Sequence, residues 1–287
     1  MTVRITASRH TAFYSPLICT MAAGFLEKHN LEYTYGVLPP GETAASMIRS
    51  GKTDVMQSAP STNWAKMEKG ETDFPLNFAL INQRDGFFLF RRGKQFAWKD
   101  LEGKTLLADH GSQPLTMLRY AIRYNGVDCT TIDVVNAGSA SEMAAAFRAG
   151  KGDFVHLQAP VPELVEYPSV SVGASMPPNA FSTLCASREF IETDTFRIFA
   201  KAFSDAKEWV RKTSAGEIAS KEASYFPGID RDALKWAIEQ YKAIGAWDGG
   251  IEIPRDLYEQ SLNVFESTGA IKQRHPYDAV CVPAITR

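Results

Sequence analysis

Cysteine is scarce in this chain and badly spaced for chemistry. The four residues, Cys19, Cys129, Cys185 and Cys281, form no Cys-x-x-Cys pair and stand far apart. That spacing excludes a zinc ribbon or a dithiol redox motif and leaves buried, reduced thiols as the expectation. A surplus of either charge is also lacking: 31 Lys and Arg stand against 33 Asp and Glu, with no long run of one sign. A basic footprint for nucleic acid or for an anionic membrane surface is therefore missing. No apolar run approaches a membrane span, so no insertion is expected. Residues 1–7, MTVRITA, read as the start of a strand, without a leader's apolar core or small-residue cleavage site. Taken as written, the protein is expected in the cytoplasm, or in the periplasm if a leader has been removed.

What the chain has in quantity is apolar residues, 45% of its 287 positions, enough for a substantial core. It also repeats itself. Residues 47–60, MIRSGKTDVMQSAP, and residues 146–160, AFRAGKGDFVHLQAP, share one order of signals. Each reads as a helix end, a Gly-Lys-x-Asp turn, a short apolar strand and a polar loop closing on Ala-Pro. Glycine tolerates the left-handed position after a helix, and the aspartate can bond backbone in the turn. One unit placed twice predicts two similar α/β lobes with a crevice between them.

Strand and helix patterns alternate through the first half of the chain. Strands are predicted at 3–7, 31–37, 54–57, 76–81 and 86–91, then at 105–108, 132–135, 153–157 and 181–185. Helices are predicted at 14–27, 43–49, 63–69, 114–124 and 141–148, followed by a helical tail from 189 onward. Such alternation predicts mostly parallel sheets with helices on both faces. The chain is expected to cross between lobes near 82–92 and 180–187. Residues 1–86 and 186–287 would then form one discontinuous lobe and 87–185 the other. Two hinge strands of this kind permit closure around a ligand. The amphipathic tail is expected to pack on the first lobe.

The resemblance to a known family rests on four segments in order: 21–32 (MAAGFLEKHNLE), 50–56 (SGKTDVM), 100–105 (DLEGKT) and the loop at Gly111 and Ser112. Together they resemble the substrate-binding proteins for nitrate, sulfonates, taurine and thiamine pyrimidine (the SsuA/THI5-like, NMT1-like group). Asn30 stands where that group usually has glycine. The resemblance implies a type II periplasmic-binding-protein fold, with a small ligand in the interlobe cleft. It also covers cytoplasmic relatives that became enzymes: a pyrimidine synthase, an aromatic sulfinate desulfinase and distant menaquinone-pathway enzymes. The cysteine-rich motif of the synthase is absent here. The desulfinase's first-loop cysteine has His10 in the comparable region, with Cys19 deeper in the helix.

In open α/β sheets the ligand sits at the carboxyl ends of the strands, and that rule selects five loops. The first offers Ser8, His10 and Tyr14. His10 could donate to an anion, act as a base or simply cap the loop, and Tyr14 could stack on a ligand or pack its helix. The second offers Gly41 and Thr43, with Glu42 read chiefly as a first-turn acid. The third offers Ser58 and Ser61, where Ser61 or Thr62 could instead cap the next helix. The fourth, His110, Gly111, Ser112 and Gln113, opens a helix with Pro114 in its first turn. It is the best candidate for a carboxylate, sulfonate or phosphate group through free backbone N–H groups. It lacks the Gly-Lys-Ser/Thr ending of a Walker loop. The fifth offers His156 and Gln158, which alternate to one face of a strand; for His156 a structural place in the sheet is the alternative. Arg84 could pair with an anionic ligand or lie in a surface salt bridge. His10, His110 and His156 lack the spacing of a helical metal motif, so neither metal nor other cofactor is expected.

These features predict a binding protein for a small anionic or heteroaromatic molecule, a sulfonate, carboxylate, nitrate or pyrimidine. It would serve an ABC-type uptake system or be a cytoplasmic relative of such proteins. The alternative is an enzyme on the same scaffold with His10 as acid or base. No Ser-His-Asp order or carboxylate pair supports a particular reaction. The expected partners are the small ligand and, for an exported protein, a membrane permease. Nucleic acid is not among them, and the chain is expected as a monomer or weak dimer.

Overall fold

The two Gly-Lys-x-Asp turns do the same work in two places. The Asp54 carboxylate accepts the backbone N–H of Arg4 at 2.8 Å, and the Asp153 carboxylate accepts that of Thr105 at 3.0 Å. Each aspartate N–H returns to the carbonyl of the same residue, at 2.9 and 2.8 Å. Arg4 lies in β1 (Thr2–Ala7) and Thr105 opens β6 (Thr105–Leu107). The turns thereby set β3 (Val55–Ser58) parallel to β1 and β8 (Phe154–Gln158) parallel to β6. Gly51 and Gly150 precede them with φ of 65° and 92°, the left-handed positions that end the helices α3 (Ala44–Arg49) and α6 (Ala140–Arg148).

The computed structural model describes residues 2–284, whose strands form two five-stranded sheets. The first adds β2 (Glu32–Val37), β4 (Leu76–Asn82) and β10 (Ser182–Ala186), in the order β2-β1-β3-β10-β4. The second adds β5 (Phe87–Arg91), β7 (Asp133–Val135) and β9 (Ser169–Ser171), in the order β7-β6-β8-β5-β9. In both sheets the first three strands are parallel, and the fourth place belongs to an antiparallel strand that enters beside a crossing, β10 in one and β5 in the other. The second sheet thus repeats the first.

The chain passes between sheets after Asn82 and again between Ser171 and Ser182. The boundary expected at 185/186 falls inside β10, because Ser182–Ala186 pairs with β3 and β4 in the first sheet. The two crossings pack on each other. The N–H of Asn179 donates to Gln83 O at 2.9 Å and that of Phe181 to Asn82 O at 3.1 Å. Arg84, expected as a ligand contact or surface ion pair, donates to the carbonyls of Gly173 (3.1 Å) and Met176 (2.8 Å) and so joins the two crossings. Beside it, Asp85 is fully buried and accepts the Phe87 N–H at 2.6 Å; burial pushes its carboxyl up to about 8.

Local departures from the expected elements have local causes. The helix expected over 14–27 breaks at Gly24, whose φ of 75° separates α1 (Ser15–Ala22) from α2 (Phe25–Lys28). Asn30 has φ of 53°, the left-handed conformation that asparagine tolerates best after glycine. The helix expected at 63–69 starts earlier, at Pro60, as α4 (Pro60–Met67), and the fourth loop opens α5 (Ser112–Tyr124).

After α7 (Arg188–Ile191), helix α8 (Asp194–Lys212) lays Phe196, Phe199, Phe203, Ala206 and Val210 inward and packs on α1. The next helices are α9 (Ala215–Glu222), α10 (Arg231–Ala243) and α11 (Arg255–Ser267). The tail does not rest on the first lobe alone. Helix α11 packs on α5, with Arg123 donating to Ser267 O at 3.0 Å, and Tyr241 of α10 donates to Ala159 O at 2.9 Å. All four cysteines are free thiols.

Candidate ligand-binding cleft

The loops that leave β1, β6 and β8 meet between the sheets. Arg9, the second residue past β1, forms an ion pair with Asp109, the second residue past β6. The Thr11 hydroxyl donates to Ala159 O at 2.8 Å, and the Gln113 amide donates to Phe181 O at 2.7 Å. Burial works against the charges of both Arg9 and Asp109. For each, hydrogen bonding and attraction to the other more than offset it, so the Arg9 pKa lies above its ordinary value and that of Asp109 below. Asp109 also accepts the Gly111 N–H at 2.7 Å. An added Cβ on Gly111 would lie 2.9 Å from Asp109 Oδ1 and 3.1 Å from an Arg9 nitrogen, so the residue type at 111 keeps room for the pair.

Two cavities border this ion pair. The larger, about 630 Å³, is lined by the polar residues Ser8, Gln57, Ser58, Thr62, Ser112 and Gln113 together with Tyr14, Leu38, Met56, Phe87 and Phe181. The smaller, about 510 Å³, lies between the second sheet and the segment after α9, against Phe226 and Pro227. Arg9, Phe87 and Gln158 line both.

Eight of the residues expected at the site line the larger cavity: Ser8, Tyr14, Thr43, Ser58, Gly111, Ser112, Gln113 and Gln158. His10 lines the smaller one. Its ring nitrogens are engaged, Nδ1 with the Tyr35 hydroxyl at 2.8 Å and Nε2 with Tyr225 O at 2.6 Å. Burial lowers its pKa, a shift that the Tyr225 carbonyl opposes. The imidazole therefore ties the first loop to the tail.

The other expected residues lie elsewhere. Gly41 is in an exposed turn with φ of 82°, and Ser61 sits in the first turn of α4, where Thr62 faces the cavity instead. Glu42 reaches the cavity wall, bound to Lys52 at 2.6 Å. His110 is exposed, with Nδ1 on Ala108 O at 2.9 Å. His156 is sealed in the sheet, stacked on Phe87 with ring centroids 4.4 Å apart. Among the described residues neither of its ring nitrogens has a hydrogen-bond partner, and burial depresses its pKa to about 3, which keeps it neutral. The three histidines do not converge, and among the described residues no three His, Cys, Asp or Glu side chains group to hold a metal ion.

The family model described as NMT1/THI5 like matches residues 11–213, most of both sheets and the start of the tail. The chain belongs to the NMT1/THI5-like family. A relative of this NMT1/THI5-like chain is YtlA of Bacillus subtilis (strain 168), provisionally named a binding protein. It is 25% identical over 287 residues, covering 96% of this chain and 86% of YtlA. Among solved structures, the ligand-binding component of an ABC-type import system from Staphylococcus aureus, with zinc bound, superposes with a TM-score of 0.76 at 14% identity, covering 99% of this chain and 97% of that one. The alkanesulfonate-binding protein SsuA of Xanthomonas axonopodis pv. citri, bound to MOPS, gives 0.71 at 13% identity, with 97% of each chain covered. At these identities the likeness to the solved structures is one of fold, the periplasmic-binding-protein fold.

The expected site omitted its central residues, Arg9 and Asp109. A signal was present. Arg9-His10 and Asp109-His110 occupy matched positions after the corresponding strands β1 and β6, with opposite charge at the first of each pair. In a two-lobed NMT1/THI5-like fold, matched loops face each other, so the pair could have been read from the repeat.

Proposed function

We propose that this protein captures a small organic anion between its two lobes, as the binding component of an ABC-type uptake system, and hands it to a membrane permease. The lobes would move as two bodies, β1–β4 with β10 and most of the tail against β5–β9. One observation carries the reading: the first turn of α5 faces the larger cavity with the N–H groups of Ser112 and Gln113, which have no acceptor among the described residues, and the Arg9 cation borders the same space. Free N–H groups at a helix start and a cation form an anion site without further machinery. Ligand held by α5 from one lobe and by Arg9 from the other makes its full set of contacts only when the lobes are closed, which favours that state. The import role of the Staphylococcus aureus protein supports the assignment to uptake, and the sulfonate binding of the Xanthomonas protein supports an anionic ligand. Among the described residues no helix is long and apolar enough to cross a membrane, as fits a component that works beside a permease.

The test is a thermal-shift screen of nitrate, methanesulfonate, benzenesulfonate, acetate, benzoate and a neutral pyrimidine. At least one organic anion is expected to raise Tm in a concentration-dependent way. Stabilisation by the pyrimidine alone would reject the anion site. Ser112→Pro sharpens the test. Gly111 has φ −56° and ψ 142°, which suits the residue before a proline, and the first helical position accepts proline well. The variant should fold with an unchanged Tm but lose one N–H donor. A hydrogen bond to a charged group contributes about 1.5–3 kcal/mol, so anion affinity by calorimetry should fall by about tenfold or more. Undiminished affinity would remove the helix from the site.

A further inference from the structure

The smaller cavity closes against the segment after α9. Its walls include Phe87, Leu157, Pro160, Phe226, Pro227 and Ile229. Several of the polar groups it contains are already engaged. His10 is held by Tyr35 and Tyr225, the Thr11 hydroxyl by Ala159 O, and Asp109 by Arg9 and the Gly111 N–H. A space of about 510 Å³ with such walls is the size of a small-molecule site, and away from Arg9 and Gln158 it offers an occupant chiefly apolar and ring contacts. It also adjoins the larger cavity across shared walls. Arg9, Phe87 and Gln158 line both spaces, and the Arg9 guanidinium lies 5.7 Å from the centre of the Phe87 ring. The far wall is firm: the Phe226 ring packs on His10 at 4.6 Å between centroids, and His10 is fixed to the chain on both sides.

We propose that this cavity is a second subsite that takes a flat aromatic group of the same ligand, so that the molecule bound is an aromatic oxyacid anion, an aryl sulfonate or aryl carboxylate. The anionic head lies at the start of α5 and Arg9, and the ring passes Phe87 to rest against Phe226 and Ile229. Aromatic faces favour offset or edge contacts with such rings, in addition to the area they bury. The assignment rests on the anion site proposed above, and its test separates the two.

Calorimetry on the intact protein would compare benzenesulfonate with methanesulfonate, and benzoate with acetate. In at least one pair the aromatic member is expected to bind ten times more tightly or better. Phe226→Ala should reduce that ratio severalfold. Because Phe226 is buried and its loss could loosen the tail, Ala140→Phe provides a second variant: Ala140 is exposed at the cavity mouth, and the larger side chain fills the space from the solvent side. It should bring the ratio to within about twofold of unity. Small and aromatic anions binding equally well would overturn the second subsite and leave the anion site standing. A wild-type ratio retained in both variants would overturn it as well. Failure of all four anions to bind would overturn both proposals.

Discussion

Arg9→Ala is expected to lower affinity for the bound anion by at least about 100-fold. Two effects add in the same direction. The ligand loses charge-assisted hydrogen bonds, which are about twice as strong as neutral ones. Asp109, mostly shielded from solvent, also loses its partner and presents an uncompensated negative charge beside the incoming anion. Arg9→Lys keeps the charge but not the planar fork, and should recover only part of the loss. Arg9→Ala with Asp109→Ala removes the repulsion but not the need for a cation, so affinity should stay well below wild type. Calorimetry with benzenesulfonate or benzoate reads all three. Wild-type affinity in Arg9→Ala would show that the ion pair only joins the lobes and plays no part in recognition.

Gly173→Ala should be the most damaging single-methyl change in the protein. The added Cβ would stand 2.2 Å from Asp85 O and 2.8 Å from Asp85 N, both backbone atoms of the other crossing. Neither atom can swing aside as the end of a side chain would. Arg84, bound to the carbonyls of Gly173 and Met176, holds the two segments together. Overpacking of this kind costs about 1–3 kcal/mol, occasionally more. With about 2–4 °C per kcal/mol for chains of somewhat smaller size, Tm should drop by roughly 2–10 °C. Gly36→Ala is the control: among the described residues, its chain neighbours aside, no atom lies within 4 Å of its added Cβ, and its φ is not in the left-handed region. Its Tm should stay near wild type. Equal Tm values for the two variants, measured by calorimetric scan, would mean that the crossings are not packed into one hinge.

Much of this architecture is legible in the sequence because it is local. The Gly-Lys-x-Asp turns carry their own reasons, a left-handed glycine and an aspartate that bonds the neighbouring strand, and so the repeat is visible as text. The first turn of α5 is legible for the same reason, since Gly111 and Pro114 mark a helix start. What escapes is long-range. Strand β9 has only Ser-Val-Ser to announce it and exists because β5 needs a neighbour. The smaller cavity depends on Phe226 meeting His10, and on a His10–Tyr225 bond between residues 215 positions apart. His156 alternates to the same face as Gln158, as the pattern indicates, yet periodicity cannot say that the Phe87 ring covers it. Charge was the neglected signal: Arg9 was passed over between Ser8 and His10, although its matched position in the second lobe carries Asp109.

Amide hydrogen exchange, with and without saturating benzenesulfonate or benzoate, tests most directly whether an anion is gripped between the lobes. Slowed exchange is expected in both sheets' loops at once, at 8–14 and 57–62 of the first lobe and at 109–115 and 157–161 of the second, with the N–H groups of Ser112 and Gln113 among the most protected. Protection confined to one lobe, or spread over the outer surfaces while these four loops exchange unchanged, would contradict it.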